Sequence, residues 1–314
     1  MRCLVTGSAG FIGGSLIKRL AKEGHDVKGL IHKTKPKYYE KKAEYVTGDI
    51  TDISSLKPLV RDIDVVFHCA AFVKDYGSKK TFYEINFEGT KNLVSACEIS
   101  GIKKFIFISH IRHEFERDIE YYTKTKAMAE QYLLYKFKKN NLPVVIIRPG
   151  NVYGPGATTW VIRPLKAIQK NRIALIDNDK GIFLHTYIDN LLDALLSAME
   201  EPKAVGETID ITDGDSSITW GEYLNELARI AGKKNIKKNM SKNTALMLSK
   251  VMILLYKVFR IEPMVTPMAV HIFTNTKSIS IEKAESILGY CPKVDFKEGM
   301  RRVEIWLRNE GYVN

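Results

Sequence analysis

The chain has 314 residues, enough for one large domain or two of ordinary size, and its composition of 45% hydrophobic and 27% charged residues is typical of a soluble globular protein. An excess of 48 Lys and Arg over 36 Asp and Glu gives a net charge of +12, which suits nucleic acid, an anionic lipid surface or phosphate-bearing small molecules as ligands. The basic residues are scattered and form no cluster with aromatic residues, so we exclude nucleic acid as the main partner.

The first 150 residues alternate short apolar runs with helical patterns. Glycines stand where two of the helical patterns end, at Gly24 and Gly101. Alternation of strands and helices predicts a parallel sheet with right-handed crossovers, and therefore a doubly wound α/β fold. The predicted strands are residues 3–6, 26–31, 44–47, 65–69, 105–109 and 144–148, and the predicted helices are residues 11–23, 53–61, 79–100 and 121–140.

After Pro149 the regular alternation weakens. Helical patterns recur at residues 160–170, 189–200, 220–232 and 281–288. We predict a first domain at residues 1–155 and a smaller, mostly helical substrate domain at residues 156–314, with a segment near residues 182–200 returning to the sheet. Such a second domain would form a cleft at the carboxyl ends of the strands, where ligands bind in open α/β sheets.

A glycine-rich turn follows the first predicted strand directly, in the sequence TGSAGFIG. Gly7 permits a tight turn, Gly10 lets the backbone approach a pyrophosphate, and Gly13 lets the following helix pack closely. The start of that helix adds N–H groups and partial positive charge for the phosphates. The turn therefore predicts a dinucleotide-binding site.

Several further motifs accompany the glycine turn: GDITD at residues 48–52, HCAA at 68–71, NFEGT at 86–90 and RPGNVYGPG at 148–156. With the TGxxGxxG pattern, they make the chain resemble the extended short-chain dehydrogenase/reductase family, of the NAD-dependent epimerase/dehydratase type. The resemblance runs through nearly the whole chain. It implies a Rossmann sheet and an NAD(P)-dependent oxidoreductase or epimerase.

The resemblance also implies which residues hold the cofactor. Asp49 and Ile50 would contact the adenine, whereas Asp52 caps a helix beginning near residue 53. Asn86 would order the neighbouring strand and the nicotinamide pocket. The full predicted cofactor set is Gly7, Ala9, Gly10, Phe11, Ile12, Gly13, His32, Lys33, Asp49, Ile50, Ala70, Ala71, Asn86, Tyr122, Lys126, Pro149, Gly150, Asn151 and Val152.

The end of the second predicted strand bears on the choice of cofactor. A carboxylate at this place would bind the ribose 2′-hydroxyl of NAD. The sequence here is GLIHKTK, in which His32 and Lys33 are the charged or chargeable side chains nearest the strand end. Positive charge favours a 2′-phosphate, so we predict NADP, with NAD as the alternative.

The family's chemistry uses a tyrosine with a lysine four residues later, which a helix places on one face. The lysine lowers the pKa of the phenol, so that it can exchange a proton with a substrate hydroxyl. The chain contains this spacing five times, but only Tyr122 with Lys126 follows the fifth strand and leads to the strand before RPGN. The five tyrosines with this spacing are Tyr38, Tyr76, Tyr122, Tyr132 and Tyr135.

The family's third catalytic residue is a Ser or Thr just after the fifth strand. Alignment of FISHIR places His110 at that position and Ser109 one residue before it. His110 could donate the hydrogen bond or shuttle a proton, Ser109 could reach inward, or activity could be weak. A sensor that binds NAD(P) without turnover is a further alternative, which the retention of Tyr122 and Lys126 disfavours.

Two substrate classes compete. Nucleotide-sugar enzymes of the family carry arginines near the positions of Gly181 and Phe273, and only Lys277 offers a substitute there. The carboxyl-terminal segment instead resembles the 3β-hydroxysteroid dehydrogenase and dihydroflavonol reductase branch. We therefore predict interconversion of a secondary alcohol and a ketone on a fairly apolar small molecule, with a nucleotide-sugar epimerase or dehydratase as the alternative.

The apolar stretch at residues 244–259 is too short to span a bilayer. It could roof an apolar pocket, rest on a membrane surface with Lys250 and Lys257 extended, or form a core helix. The family resemblance suggests a homodimer through residues 86–100 and 121–140.

Location and metal binding are predicted from what the sequence lacks. The four cysteines form no CxxC pair and the strand at residue 3 leaves no room for a signal peptide, so we expect a cytoplasmic protein. The histidines form no ligand pair, so no metal is expected.

Overall fold

The computed structural model describes residues 1–111 and 121–314. Its main sheet has seven strands in the order β10-β6-β5-β4-β1-β2-β3, and every neighbouring pair is parallel. The strands are β1 (Arg2–Thr6), β2 (Asp26–Ile31), β3 (Ala43–Thr47), β4 (Val65–His68), β5 (Lys104–Ile108), β6 (Val144–Pro149), β7 (Asn151–Tyr153), β8 (Leu175–Ile176), β9 (His185–Tyr187), β10 (Thr208–Ile211) and β11 (Asn239–Met240). The predicted doubly wound parallel sheet is confirmed.

Twelve α-helices connect and cover these strands in the described part of the chain. Short π-helical segments precede two of them, at Tyr83–Glu88 and Thr158–Ile162. The helices are α1 (Phe11–Lys22), α2 (Ile53–Leu56), α3 (Lys79–Phe82), α4 (Gly89–Ser100), α5 (Tyr121–Asn140), α6 (Arg163–Gln169), α7 (Ile188–Glu200), α8 (Trp220–Ile230), α9 (Lys242–Phe259), α10 (Pro267–Phe273), α11 (Glu282–Leu288) and α12 (Phe296–Asn309).

Local chemistry explains most of these boundaries. The inner strands are continuous apolar runs, such as VVFH in β4, because both of their faces are buried. Helix α4 ends at Gly101, whose φ of +64° is the left-handed conformation that closes helices. The helix predicted at residues 53–61 is shorter than expected: α2 ends at Leu56, just before Pro58, which has no N–H to donate.

The predicted return segment near residues 182–200 is divided in the structure. Helix α7 packs on the sheet against β5, β6 and α1, whereas β9 pairs with β7 outside the main sheet. The seventh strand of the main sheet is β10, which pairs with β6 in the register Thr208 to Ile146. Four residues of alternating TIDI are too short a pattern to have identified this strand.

Two apolar clusters hold the layers together. One face of the sheet, with Val5 and Phe67, shares a cluster with Leu191 of α7 and Tyr223 of α8. The opposite face packs against α2, α4 and α5, which lie between β3 and β6 in the chain. Residues of the second half, together with the carboxyl ends of the strands, enclose a cavity.

Candidate active site

One cavity of about 1800 Å³ lies at the carboxyl ends of the strands and extends under the second half. Strand β1 lies between β4 and β2, so the chain direction across the sheet changes beside it, which is where ligands bind in such folds. Every predicted catalytic and cofactor residue except Asn86 lines this cavity. They are Gly7, Ala9, Gly10, Phe11, Ile12, Gly13, His32, Lys33, Asp49, Ile50, Ala70, Ala71, Ser109, His110, Tyr122, Lys126, Pro149, Gly150, Asn151 and Val152.

The glycine turn joins β1 to α1. Gly7 has a φ of +69°, and a Cβ there would lie 2.8 Å from the backbone nitrogen of Ala70. A Cβ on Gly13 would collide with the carbonyl oxygen of Gly7, so α1 packs directly on the turn. Gly10 caps α1 without a side chain, which leaves the first N–H groups of the helix to face the cavity. These features fit the pyrophosphate of a dinucleotide.

A buried network supports the floor of the cavity. The imidazole of His68 hydrogen-bonds the Thr6 hydroxyl at 2.7 Å and the Thr90 hydroxyl at 3.0 Å. Burial, together with the charge of Lys126, lowers the pKa of His68 to about 3, so the ring is neutral. The Thr6 hydroxyl also accepts the backbone N–H of Ala70 at 3.1 Å, which fixes the wall beside the glycine turn.

Asn86 lies behind the cavity wall rather than in it. Its side-chain oxygen accepts the N–H of Phe72 at 2.7 Å, and its amide donates to the carbonyl of Phe72 at 3.2 Å and to the Thr125 hydroxyl at 3.2 Å. The structure therefore gives Asn86 the ordering role expected for it and no direct place among the lining residues. Asn86 is the one member of the predicted cofactor set that does not line the cavity, and its contact with the cofactor stays a prediction.

The end of the cavity predicted to hold the adenine brings Asp49 next to His32, with 3.2 Å between Oδ2 and Nε2. Burial would raise the pKa of Asp49, but hydrogen bonds from Thr51 and the charges of His32 and Lys33 outweigh it and lower the pKa. Asp52 accepts the Ser54 N–H at 3.0 Å as the cap of α2. The capping role predicted for Asp52 is thus confirmed, whereas the adenine contact of Asp49 stays a prediction.

Tyr122 and Lys126 lie one turn apart on α5 and both line the cavity. The Lys126 side chain is 2% exposed; its Nζ donates to the carbonyl of Ile108 at 2.6 Å and lies 3.7 Å from the ring centre of Phe107. Burial lowers the pKa of Lys126 to about 7. The lysine is thus placed to hold or release a proton near neutral pH beside the phenol of Tyr122.

The end of β5 presents two more polar side chains to the cavity. The ring of His110 lies 5.2 Å from that of Tyr122. Ser109 is 5% exposed, and its Oγ has no hydrogen-bond partner among the described residues. A buried hydroxyl of this kind that lines a cavity is available to a ligand oxygen.

The far half of the cavity is walled by aromatic rings. The Trp220 ring stacks on Phe273 at 4.1 Å and lies 5.3 Å from Trp160. A Cβ on Gly181 would collide with the carbonyl oxygen of Phe273, so the two positions where a nucleotide-sugar site was expected to have arginines touch each other without a cation. Aliphatic and thioether side chains continue the wall, namely Ile173, Ile176, Met240, Leu248, Met252, Met264, Val265, Met268 and Ile272.

Sequence reasoning missed two kinds of site residue. Thr6 and Thr90 stand within quoted motifs, TGSAG and NFEGT, so a signal for them existed. The aromatic wall and Arg163, which also lines the cavity, come from segments far apart in the chain and belong to no motif. Only the fold brings them together.

Two histidines, His68 and His185, are buried and contact neighbouring groups of the protein. His185 is buried, and its Nδ1 lies 2.9 Å from the carbonyl of Phe183. Within residues 1–111 and 121–314, no three His, Cys, Asp or Glu side chains converge as a metal site would require.

Known proteins are similar to this chain in sequence and in fold. The model of the NAD dependent epimerase/dehydratase family matches residues 3–212. The mouse (Mus musculus) sterol-4-alpha-carboxylate 3-dehydrogenase, decarboxylating, is 27% identical over 96% of this chain and 89% of its own. The 2-alkyl-3-oxoalkanoate reductase of Stenotrophomonas maltophilia is 28% identical over 97% and 98%. The structure of UDP-glucuronic acid 4-epimerase from Bacillus cereus with NAD has a TM-score of 0.75 at 24% identity, covering 100% of this chain and 99% of that one.

Proposed function

The chain belongs to the NAD-dependent epimerase/dehydratase family, and from that premise we propose that it interconverts a secondary alcohol and a ketone on an apolar, carboxylate-bearing small molecule. The match confirms the family predicted from the motifs. The relatives confirm an NAD-dependent oxidoreductase or epimerase as the class of enzyme.

The main evidence for an apolar substrate is the aromatic wall formed by Trp160, Trp220 and Phe273. Indole and phenyl rings bury apolar surface and offer no charge to a sugar diphosphate. The contact of Gly181 with Phe273 leaves no room for an arginine side chain at residue 181. The site therefore favours a hydrocarbon chain or ring system over a nucleotide sugar.

The carboxylate is supported by the relatives and by Arg163. Both relatives' names describe a carbon–oxygen group that reacts near a carboxylate on an apolar skeleton. Arg163 begins α6 and lines the cavity together with Asp75; burial raises the pKa of Asp75, and the nearby charge of Arg163 opposes that rise without a direct ion pair between the two. A guanidinium binds a carboxylate by two parallel hydrogen bonds, so Arg163 is our choice for that contact.

The proposed chemistry uses residues at the nicotinamide end. The glycine turn and Lys126 would hold the cofactor, which when bound accepts or supplies a hydride. The Tyr122 hydroxyl would exchange its proton with the substrate oxygen, and the Lys126 ammonium would stabilise the phenolate that forms. We assign the third hydrogen bond to the Ser109 hydroxyl, because it is buried and unpartnered in the described structure, rather than to His110.

The experiment is a chain-length series. We expect 3-oxoalkanoates with 2-alkyl chains of increasing length to oxidise NADPH or NADH, with kcat/KM rising about fourfold for each methylene until the cavity is filled, because each buried methylene contributes about 0.8 kcal/mol. The matched ketones without the carboxylate should have a higher KM, since they lose the contact with Arg163. Loss of the cofactor's absorbance measures both.

UDP-glucose and UDP-glucuronate are incubated with the protein and NAD in parallel, and their 4-epimers are separated by chromatography, because epimerisation regenerates the cofactor and leaves its absorbance unchanged. Turnover of either, with none of the oxoalkanoates, would overturn the proposal in favour of a nucleotide-sugar enzyme. Cofactor binding without turnover of any member of the panel would favour a sensor. A rate that does not vary with chain length would contradict the assignment of the apolar wall.

We further propose NADP as the preferred cofactor, because His32 and Lys33 line the adenine end. We expect Lys33→Glu to weaken NADPH binding about 10- to 100-fold while changing NADH affinity little, since a charge-assisted hydrogen bond to the 2′-phosphate is replaced by repulsion. Lys35→Glu is the control, because Lys35 is equally exposed but does not line the cavity. Fluorescence titration measures both affinities, and wild-type protein that binds NADH more tightly than NADPH would reverse the assignment.

A further inference from the structure

Helix α9 carries a stripe of apolar side chains that face solvent. Met247, Val251, Leu254 and Val258 are 66%, 49%, 60% and 62% exposed. Their spacing of four, three and four residues places them on one face of the helix. We call this set the apolar stripe.

The apolar stripe belongs neither to the core nor to the cavity. The buried residues of α9 are Ala245 and Ser249, which lie on the opposite face. Leu248 and Met252, at the side, line the cavity, whereas no member of the stripe does. Folding of the chain therefore leaves the stripe without a partner in the described structure.

The exposed apolar surface continues past the end of the helix. Phe259, Ile261 and Met264 are 65%, 53% and 62% exposed. Single exposed apolar residues are ordinary on protein surfaces, but a contiguous set of large ones marks an interaction surface.

The segment that contains the stripe carries only basic charged residues as far as residue 261, and Glu262 follows directly. Residues 233–261 contain no Asp or Glu, and none of their basic side chains forms an ion pair with the described part of the chain. Lys250 and Lys257 are seven residues apart and flank the stripe, so their stems can extend along an apolar layer while the ammonium groups reach anions. The basic residues of this segment are Lys233, Lys234, Lys237, Lys238, Lys242, Lys250, Lys257 and Arg260.

We propose that the apolar stripe and its flanking cations dock the protein on an anionic lipid surface. An apolar face beside lysines matches the acyl and headgroup layers of such a membrane. A second copy of the chain fits less well, because pairing two stripes would bring two uncompensated cationic segments together. No helix of the described chain is long and apolar enough to cross the bilayer, so the contact is peripheral.

Docking would place the apolar half of the cavity next to the lipid. Leu248 and Met252 of α9, together with Met264 in the exposed patch, line that half. A lipophilic substrate could then pass from the membrane into the cavity without crossing water. This consequence rests on the proposed function, whereas the docking itself does not.

The test is co-sedimentation of the full chain with phosphatidylserine/phosphatidylcholine vesicles and with phosphatidylcholine vesicles. We expect preferential binding to the anionic vesicles, a loss of at least about tenfold in Leu254→Glu, and about fivefold for each of Lys250→Ala and Lys257→Ala. The controls are Ile305→Glu, an exposed apolar position on α12, and Lys203→Ala, an exposed cation elsewhere; both should bind as the wild type does.

Cofactor titration and turnover of a soluble substrate serve as the check on folding, because the substituted residues do not line the cavity. Absence of vesicle binding, or binding that Leu254→Glu leaves intact, would overturn the proposal. A dimer that Leu254→Glu dissociates in gel filtration, without vesicle binding, would assign the stripe to a second copy. Vesicle binding with failure of the substrate panel would overturn the proposed function alone.

Discussion

Replacement of Tyr122 by Phe is expected to lower kcat by about 10²- to 10⁴-fold and to leave cofactor affinity within about twofold. The substitution removes the hydroxyl that would exchange a proton with the substrate oxygen. It keeps the ring and its packing beside His110, whose ring centre lies 5.2 Å away. Steady-state turnover and fluorescence titration with NADPH measure the two effects separately.

The matched control is Tyr132→Phe. Tyr132 lies on the same helix α5 and has the same four-residue spacing to a lysine, but Lys136 is paired with Glu98 at 2.8 Å and neither residue of this pair lines the cavity. This variant should keep wild-type turnover. Equal losses in both variants, or none in Tyr122→Phe, would remove Tyr122 from the mechanism.

In the same assay, Ser109→Ala should lose more activity than His110→Ala if the serine donates the third hydrogen bond.

Replacement of Lys126 by Met is expected to lower kcat/KM by at least about 10²-fold and, at the same time, to stabilise the cofactor-free protein. Lys126 is 2% exposed, and burial lowers its pKa from an ordinary value of 10.5 to about 7. An uncharged side chain of similar length avoids that burial of charge but loses the hydrogen bond to the carbonyl of Ile108. The net gain near neutral pH is on the order of 2–4 kcal/mol in the free energy of unfolding.

The difference in stability between wild type and Lys126→Met is expected to depend on pH. Between about pH 7 and 10.5 the unfolded wild-type chain binds the Lys126 proton and the folded chain does not, so this lysine makes wild-type stability increase with pH. The advantage of Lys126→Met should be greatest below about pH 7 and shrink by about 1.4 kcal/mol per pH unit above it. Urea unfolding of both proteins at about pH 6.5 and about pH 9 measures the difference. An advantage that does not vary with pH would mean that Lys126 keeps its ordinary pKa in the folded protein.

The activity and stability of Lys126→Met together show whether the buried lysine is catalytic or structural. A buried lysine is unfavourable for folding unless it is used, because desolvation opposes its charge. If Lys126 is catalytic, Lys126→Met should lose activity and gain stability. Loss of both would identify Lys126 as a structural residue through its bond to Ile108.

Local sequence was sufficient for the first half of the fold. Strand β2 and helix α5 have the boundaries predicted for them, and the other early strands differ by one residue at one end or, in β5, at both ends. Buried parallel strands are continuous apolar runs, and the helices between them have their own period, so the pattern determines the element without long-range information. The glycine turn is likewise a local feature, because Gly7 adopts a left-handed φ and the TGxxGxxG pattern around it indicates the turn.

The wall of the cavity depends on contacts between distant parts of the chain. Trp160, Trp220 and Phe273 come from three separate segments, and only their packing turns them into one wall. Likewise, the contact of His32 with Asp49 joins the ends of β2 and β3. Residues 208–211 form the strand β10 because they pair with β6 at the edge of the sheet. Such contacts depend on residues far apart in the chain, whose approach is set by burial of the whole core rather than by any local pattern. Local patterns were therefore enough for six strands of the main sheet, the glycine turn and the placement of Tyr122 and Lys126 on one helix, whereas the seventh strand and the shape and polarity of the cavity followed from packing.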